Sequence, residues 1–209
     1  VIANPEGMRT TPSVVGFSKT GERPLVVYHG TGEDFKIFQH SKIGSNTKNK
    51  GIFGNGFYAT DQRSLAERYA KYNRPNGKVM SLFVNMRNPF RWSDPASVEI
   101  ARKLGFPESR IKNGKLLPLV EERQILDFTA KLKNAGYEGT IYTYPEGGSE
   151  YCVWDSNQFK SATDNHGGYS DANPNIDMNV AEEMRSTLEA SRSVQSFRAS
   201  WFTSAVILP

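Results

Sequence analysis

Residues 137–155, YEGTIYTYPEGGSEYCVWD, decide the fold. Tyr137 to Tyr144 reads as a strand, Glu146-Gly147-Gly148-Ser149 as a turn, and Glu150-Tyr151-Cys152-Val153-Trp154-Asp155 as a second strand. Two strands across a glycine turn pair as a hairpin, the unit of an antiparallel sheet. The second strand carries Glu150 at its first position, just past the Gly-Gly turn, where it can point into the mouth of a cleft. Two other short apolar runs carry polar side chains in the same way: Tyr28-His29-Gly30-Thr31 and Gly54-Asn55-Gly56-Phe57-Tyr58-Ala59. Polar groups on apolar runs are costly to bury without partners. His29, Tyr58 and Glu150, each flanked by glycine or small residues, therefore point to one shared concave site.

Upstream of the hairpin, Pro24–Tyr28 reads as a strand that ends at His29 and is broken by Gly30, Gly32, Glu33 and Asp34. Phe35 and Phe38 recur at three-residue spacing in a short turn, and the basic stretch from Gln39 to Lys50 reads as a mobile loop. Gly51–Ala59 alternates small and large residues, as a strand entered through a glycine bend would. Thr60 or Asp61 is expected to cap a helix whose Leu65, Ala66, Tyr69 and Ala70 share one face. Lys78–Asn85 is a strand closed by Asn88-Pro89. Residues 93–136 read as mainly helical, with helices over 96–104 and Val120–Ala135. The second places Ile125, Phe128, Leu132 and Ala135 on one face and has Gly136 as its C-terminal cap. Gln158–Ser161 closes the unit.

A chain of 209 residues suits one domain with appendages. Hydrophobic residues make up 37% of it, and 12 Phe, 9 Tyr and 3 Trp supply a packed core, which excludes a chain disordered throughout. A net charge of +4 and a pI of about 9.1 favour an acidic ligand such as a dinucleotide pyrophosphate, but equally nucleic acid or nothing specific. The absence of any run of five basic residues argues against a dedicated nucleic-acid binder. Cys152, the single cysteine, alternates with Tyr151 and Val153 and reads as a buried structural thiol. With 3 His and 1 Cys in no ligand spacing, no metal site is expected. His40 and His166 fall in polar loops, and Glu146 sits in the turn without a following strand, so it ranks below Glu150. No stretch approaches the roughly 18 apolar residues of a membrane span, and the first residues show no signal-peptide pattern.

The order His, Tyr, Glu on these three runs resembles the signature of the diphtheria-toxin and poly(ADP-ribose) polymerase class of ADP-ribosyltransferases. The strings GIFGNGFYATD and EYCVWDSNQ resemble those of the eukaryotic polymerases. The wider pattern of VVYHGT, NAGYEGTIY and EYCVWDSNQFKSATDN is more similar to the ADP-ribosyltransferase domains of phage and bacterial polyvalent proteins, over about residues 18–177. The resemblance implies an α+β fold with a split, mostly antiparallel β core of the ADP-ribosyltransferase type and peripheral helices, clasping NAD in a cleft. It implies transfer of ADP-ribose from NAD to an acceptor with release of nicotinamide. In that class the His bonds a ribose hydroxyl, the residue after it reads the carboxamide through its backbone, two aromatic rings sandwich nicotinamide, and the Glu polarises the ribose 2′-hydroxyl. By that resemblance His29, Tyr58 and Glu150 are the catalytic set, and His29, Gly30, Thr31, Tyr58 and Tyr69 hold NAD, with no metal.

The residue types suit the chemistry. Breaking the bond between ribose and nicotinamide builds positive charge on the sugar, which a fixed carboxylate stabilises. A flat ring needs an aromatic surface, and backbone groups beside a glycine are open to approach. One position departs from the polymerases: the Ser they carry eight residues after the Tyr is Ala66 here. The long element that shapes polymer extension is not recognisable, so transfer of single ADP-ribose units is expected. The implied partner is an acceptor macromolecule, a protein in the first reading and nucleic acid in the second, with no membrane; the oligomeric state is not set by the sequence. The alternative to an enzyme is a non-catalytic module that binds NAD or ADP-ribose. The implied setting is the cytoplasm of a bacterial or phage-infected cell, or a target cell into which the chain is delivered.

Residues 1–23, VIANPEGMRTTPSVVGFSKTGER, resemble an early segment of the Hsp70 chaperone ATPase domain. That family's glycine-rich phosphate loops have no counterpart here, so ATP binding is not implied, and the segment reads as a fused fragment or a mis-assigned gene start. The expected organisation is this segment, a catalytic domain over 24–163, a linker over 164–177 rich in Asn, Asp, Gly and Pro, and a helical and apolar tail over 178–209.

Overall fold

The computed structural model describes residues 25–45, 51–72, 75–164 and 173–177. The Hsp70-like segment, the tail over 178–209 and His166 lie outside the described residues. Strands β1 (Val26–Thr31), β2 (Phe57–Thr60), β3 (Lys78–Val84), β4 (Pro89–Arg91), β7 (Gly139–Thr143), β8 (Ser149–Val153) and β9 (Phe159–Ser161) form one sheet in the order β4-β7-β8-β2-β1-β3-β9. Every neighbouring pair is antiparallel except β4 with β7. Helices α1 (Arg63–Lys71), α2 (Ala96–Lys103) and α3 (Glu122–Asn134) flank it, and a small hairpin joins β5 (Ile111–Lys112) to β6 (Lys115–Leu116). This is the expected α+β, mostly antiparallel architecture. Among the described residues no helix is long and apolar enough to cross a membrane.

The sheet buries both faces, and alternation along each strand sorts side chains between two cores. On β8 all five residues are buried. Cys152 joins a core with Phe90, Trp92, Phe106 and the α3 residues Ile125, Phe128 and Leu132. Tyr151 and Val153 join the opposite core with Val27, Phe57, Leu82 and Phe159. Each fully buried side chain of this size contributes about 1.5–3 kcal/mol, so β8 draws stability from both sides.

The α3 helix follows its sequence closely except at Ala135, expected on the apolar face, which is the exposed C-cap residue. Ile125, Phe128, Thr129 and Leu132 are its buried stripe. At its end the Gly136 N–H donates to the Lys133 carbonyl and the Tyr137 N–H to the Leu132 carbonyl, with Gly136 at φ +85°. That is the paired closure glycine permits after a helix.

Several boundaries differ from expectation. β1 runs past His29 to Thr31, because β3 pairs with it through Gly30↔Val79 and Thr31↔Lys78. β2 begins only at Phe57, and residues 51–56 bend. Neither Thr60 nor Asp61 caps α1: Gln62 takes the N-cap position without a side-chain bond, while the Asp61 carboxylate accepts the Ser149 N–H at 2.8 Å. Pro89 opens the edge strand β4 instead of closing β3, a place where its missing N–H is harmless. The mainly helical stretch 93–136 also contains the β5–β6 hairpin, turned by Asn113 and Gly114 at φ +52° and +68°. Within the stretch read as a linker, Ile176 is fully buried.

Candidate functional site

The site is a consequence of one incomplete seam. β1 pairs with β3 at six consecutive positions but with β2 at a single one, Tyr28↔Thr60. Beyond that pair the ladder between β1 and β2 gives out, and a cleft of about 490 Å³ lies there. Its walls include His29, Gly30, Thr31, Tyr58, Tyr69 and Glu150, so the structure brings together all six residues singled out in the sequence. Thr60 bridges them in register, since it pairs with Tyr28 on one side and Glu150 on the other.

His29 spans the open seam. Its Nδ1 lies 2.6 Å from the carbonyl oxygen of Tyr58. A carbonyl only accepts, so Nδ1 carries the proton and donates it. Burial pushes the imidazole pKa below its usual value, against the pull of this bond. The neutral ring then keeps a lone pair on Nε2, an acceptor for a ligand hydroxyl. Phe38 and Phe35 meet the ring edge-on at centroid distances of 5.0 Å and 6.0 Å and fix its plane.

Tyr58 is held at its far end. Its hydroxyl donates to the Gly54 carbonyl at 2.8 Å and accepts the Phe53 N–H at 3.0 Å. The Phe53 carbonyl in turn accepts from Trp92 Nε1 and Thr140 Oγ1. Gly51, at φ +98°, lies so close that a Cβ there would sit 2.2 Å from the Tyr58 hydroxyl. The residue must be glycine on both counts. Burial pushes the Tyr58 hydroxyl pKa well up, so it stays a neutral wall.

Glu150 is 8% exposed on β8. The Tyr69 hydroxyl reaches its Oε1 at 3.5 Å, and Tyr144 lines the same cleft beside it. Burial pushes the carboxyl above its usual range, and the two tyrosines pull it back in part. Burial and the neighbouring carboxylate push both tyrosine hydroxyls up, so they remain donors. Among the described residues no group of three or more His, Cys, Asp or Glu is placed to hold a metal ion.

Gly30 has a second reason to be glycine besides an open backbone. A Cβ there would meet the Ala66 carbonyl at 2.1 Å and the Ala70 nitrogen at 2.6 Å, so α1 rests directly on β1. Ala66, 1% exposed, also borders the cleft. The Thr31 hydroxyl is engaged within its own turn, donating to the Glu33 carbonyl and accepting the Glu33 N–H. Thr31 thus shapes the wall with its hydroxyl already occupied. Cys152 is 1% exposed with its thiol pKa pushed up by burial, as a structural thiol should be. His40 is exposed, its ring 4.8 Å from Phe57.

Sequence reasoning missed Tyr144 and the contact of Phe35 and Phe38 with His29. The hairpin register held the signal for Tyr144. Tyr142 pairs with Glu150, so Tyr144, two residues on, shares its face.

A family model described as ADP-Ribosyltransferase in polyvalent proteins matches residues 19–169. Chaperone protein DnaK of Trichormus variabilis and Chaperone protein dnaK1 of Nostoc sp. are each 91% identical over 23 residues, 11% of this chain. The chain spans only 3% of the length of either chaperone. A solved structure titled as an anti-CRISPR protein aligns at 13% identity and a TM-score of 0.36, covering 65% of this chain and 93% of that one. With its split sheet and with most of its length inside the family match, the chain belongs to the ADP-ribosyltransferases of polyvalent proteins.

Proposed function

We propose that the cleft binds NAD and that the chain transfers single ADP-ribose units from it to an acceptor nucleophile, releasing nicotinamide. One observation carries the reading: His29, with a neutral acceptor nitrogen, and the carboxylate of Glu150 line one cleft at the open seam. In this reading the bond between ribose C1′ and the pyridinium nitrogen breaks, and its electron pair leaves with nicotinamide. The positive charge left on the ribose is stabilised by Glu150. His29 Nε2 accepts a ribose hydroxyl and holds the sugar in register. Tyr58 and Tyr69 flank the nicotinamide, and Gly30 offers it backbone. The acceptor lone pair then attacks C1′ and its proton is lost to solvent. A protein side chain is the proposed acceptor.

Glu150 acts as the ionised form. Its raised pKa places the acid limb of activity above the ordinary carboxylate range. The test is nicotinamide release from NAD by the chain and by Glu150→Gln, followed by partition of label from adenine-labelled NAD between protein and nucleic acid in a lysate. Release by the wild type, lost in the variant while NAD still binds, is the expected outcome. Tight NAD binding without any nicotinamide formed would favour a non-catalytic binding module.

A further inference from the structure

Residues 173–177 lie beyond residue 169, where the family match ends, yet they are built into the support of the cleft. Ile176 is fully buried in the same core as Phe38, Phe57 and Phe159. Its backbone bridges two elements. The Ile176 N–H donates to the Lys36 carbonyl at 2.8 Å, and its carbonyl accepts the Ser161 N–H at 2.8 Å. Ser161 ends the edge strand β9. Lys36 lies between Phe35 and Phe38, the two rings that fix His29, and its ammonium is 3.9 Å from Asp177.

The strap is anchored from below. Lys160, 1% exposed on β9, donates to the carbonyls of Asn173 and Asn175. A buried ammonium is tolerated only where its hydrogen bonds are made. Within the strap the Asn175 N–H donates to Asn173 Oδ1 at 2.9 Å and the Asp177 N–H to Asn175 Oδ1 at 3.0 Å, which folds it into two successive turns.

We infer that Ile176 is a positioning residue of the cleft. Its buried side chain seats the backbone amide and carbonyl that tie Lys36 to Ser161, and so holds Phe35 and Phe38 against the His29 imidazole and sets how tightly the site grips its ligand. The ligand's identity rests on the NAD reading above; the coupling does not.

The experiment uses the full chain with Ile176→Ala and, as a milder variant, Asn175→Ala, which removes an acceptor inside the strap alone. Hydrogen exchange is read at amides 36–43 and across β1 and β3, alongside KM for NAD and kcat for nicotinamide release. Both variants are expected to speed exchange at 36–43 while β1 and β3 stay protected. KM should rise about three- to tenfold with kcat held within about twofold. Unchanged exchange at 36–43 in both variants would overturn the proposal. So would a rise spread evenly over β1 and β3, which would make Ile176 an ordinary core residue, or a fall in kcat with KM unmoved. If the wild type releases no nicotinamide, the functional reading fails and the exchange comparison still decides this inference.

Discussion

The two edges of β1 are built from the same six residues and meet opposite fates. Toward β3 every residue from Val26 to Thr31 has a partner, and Leu82 in that seam is wholly buried. Toward β2 the ladder holds at Tyr28↔Thr60 alone, and the next backbone carbonyl across the gap, that of Tyr58, is taken by an imidazole. A closed seam spends its hydrogen bonds on stability. An open one leaves a cleft lined by side chains from both sheet faces. His29 comes from the face of Phe38, and Tyr58 from the face of Cys152 and Trp154. Only a split between strands lets them meet.

Substitutions on the open side should therefore cost function, and those on the closed side stability. The largest effect is expected for Glu150→Gln. Nicotinamide release should fall roughly 10²–10³-fold, as when one preorganised electrostatic group is removed. Its stability moves the other way. Because burial raises the Glu150 pKa in the folded state, ionisation weakens the fold as pH rises through that pKa. A neutral Gln escapes this, so thermal melting at pH 7 should give a Tm equal to or above wild type. A Tm well below wild type would recast Glu150 as a structural residue.

His29→Ala comes next. It removes the Nδ1–H donor from the Tyr58 carbonyl and the acceptor at Nε2 together. Loss of a buried hydrogen bond costs about 1–3 kcal/mol, so the Kd for NAD measured by calorimetry should rise roughly 10- to 100-fold. Leu82→Ala is the closed-seam control: a Leu fully buried opposite Val27. Chemical denaturation should show a loss of about 2–5 kcal/mol with KM for NAD unchanged. A large rise in KM would erase the contrast between the seams.

Much of the closed part of the fold was legible because it obeys local rules. The apolar spacing of Ile125, Phe128 and Leu132 and the stop at Gly136 give α3 almost to the residue. The Gly147-Gly148 turn gives the hairpin. The six site residues were named through the resemblance and through polar groups on apolar runs. What stayed hidden depends on register and long-range contact. Asp61 looked like a helix cap, yet its carboxylate bonds the Ser149 amide, 88 residues away. Gly30 looked like a strand breaker, yet it is where α1 lands on β1. Ile176 sat in a polar, turn-rich stretch, and nothing local marked it for the core.

The smallest effect sharpens the picture of Glu150. The Tyr144 hydroxyl pulls the carboxyl pKa down, in opposition to burial. Tyr144→Phe should move the acid limb of kcat to higher pH, with the plateau nearly intact. A limb that stays in place would remove Tyr144 from the site.

The most direct measurement is a structure of the chain with an NAD analogue whose glycosidic bond cannot break. The expected density puts the nicotinamide between Tyr58 and Tyr69, with the ribose hydroxyls on His29 Nε2 and the Glu150 carboxylate. An analogue bound away from the β1–β2 seam, for instance in the groove beside Arg87 and Lys133, would contradict the account.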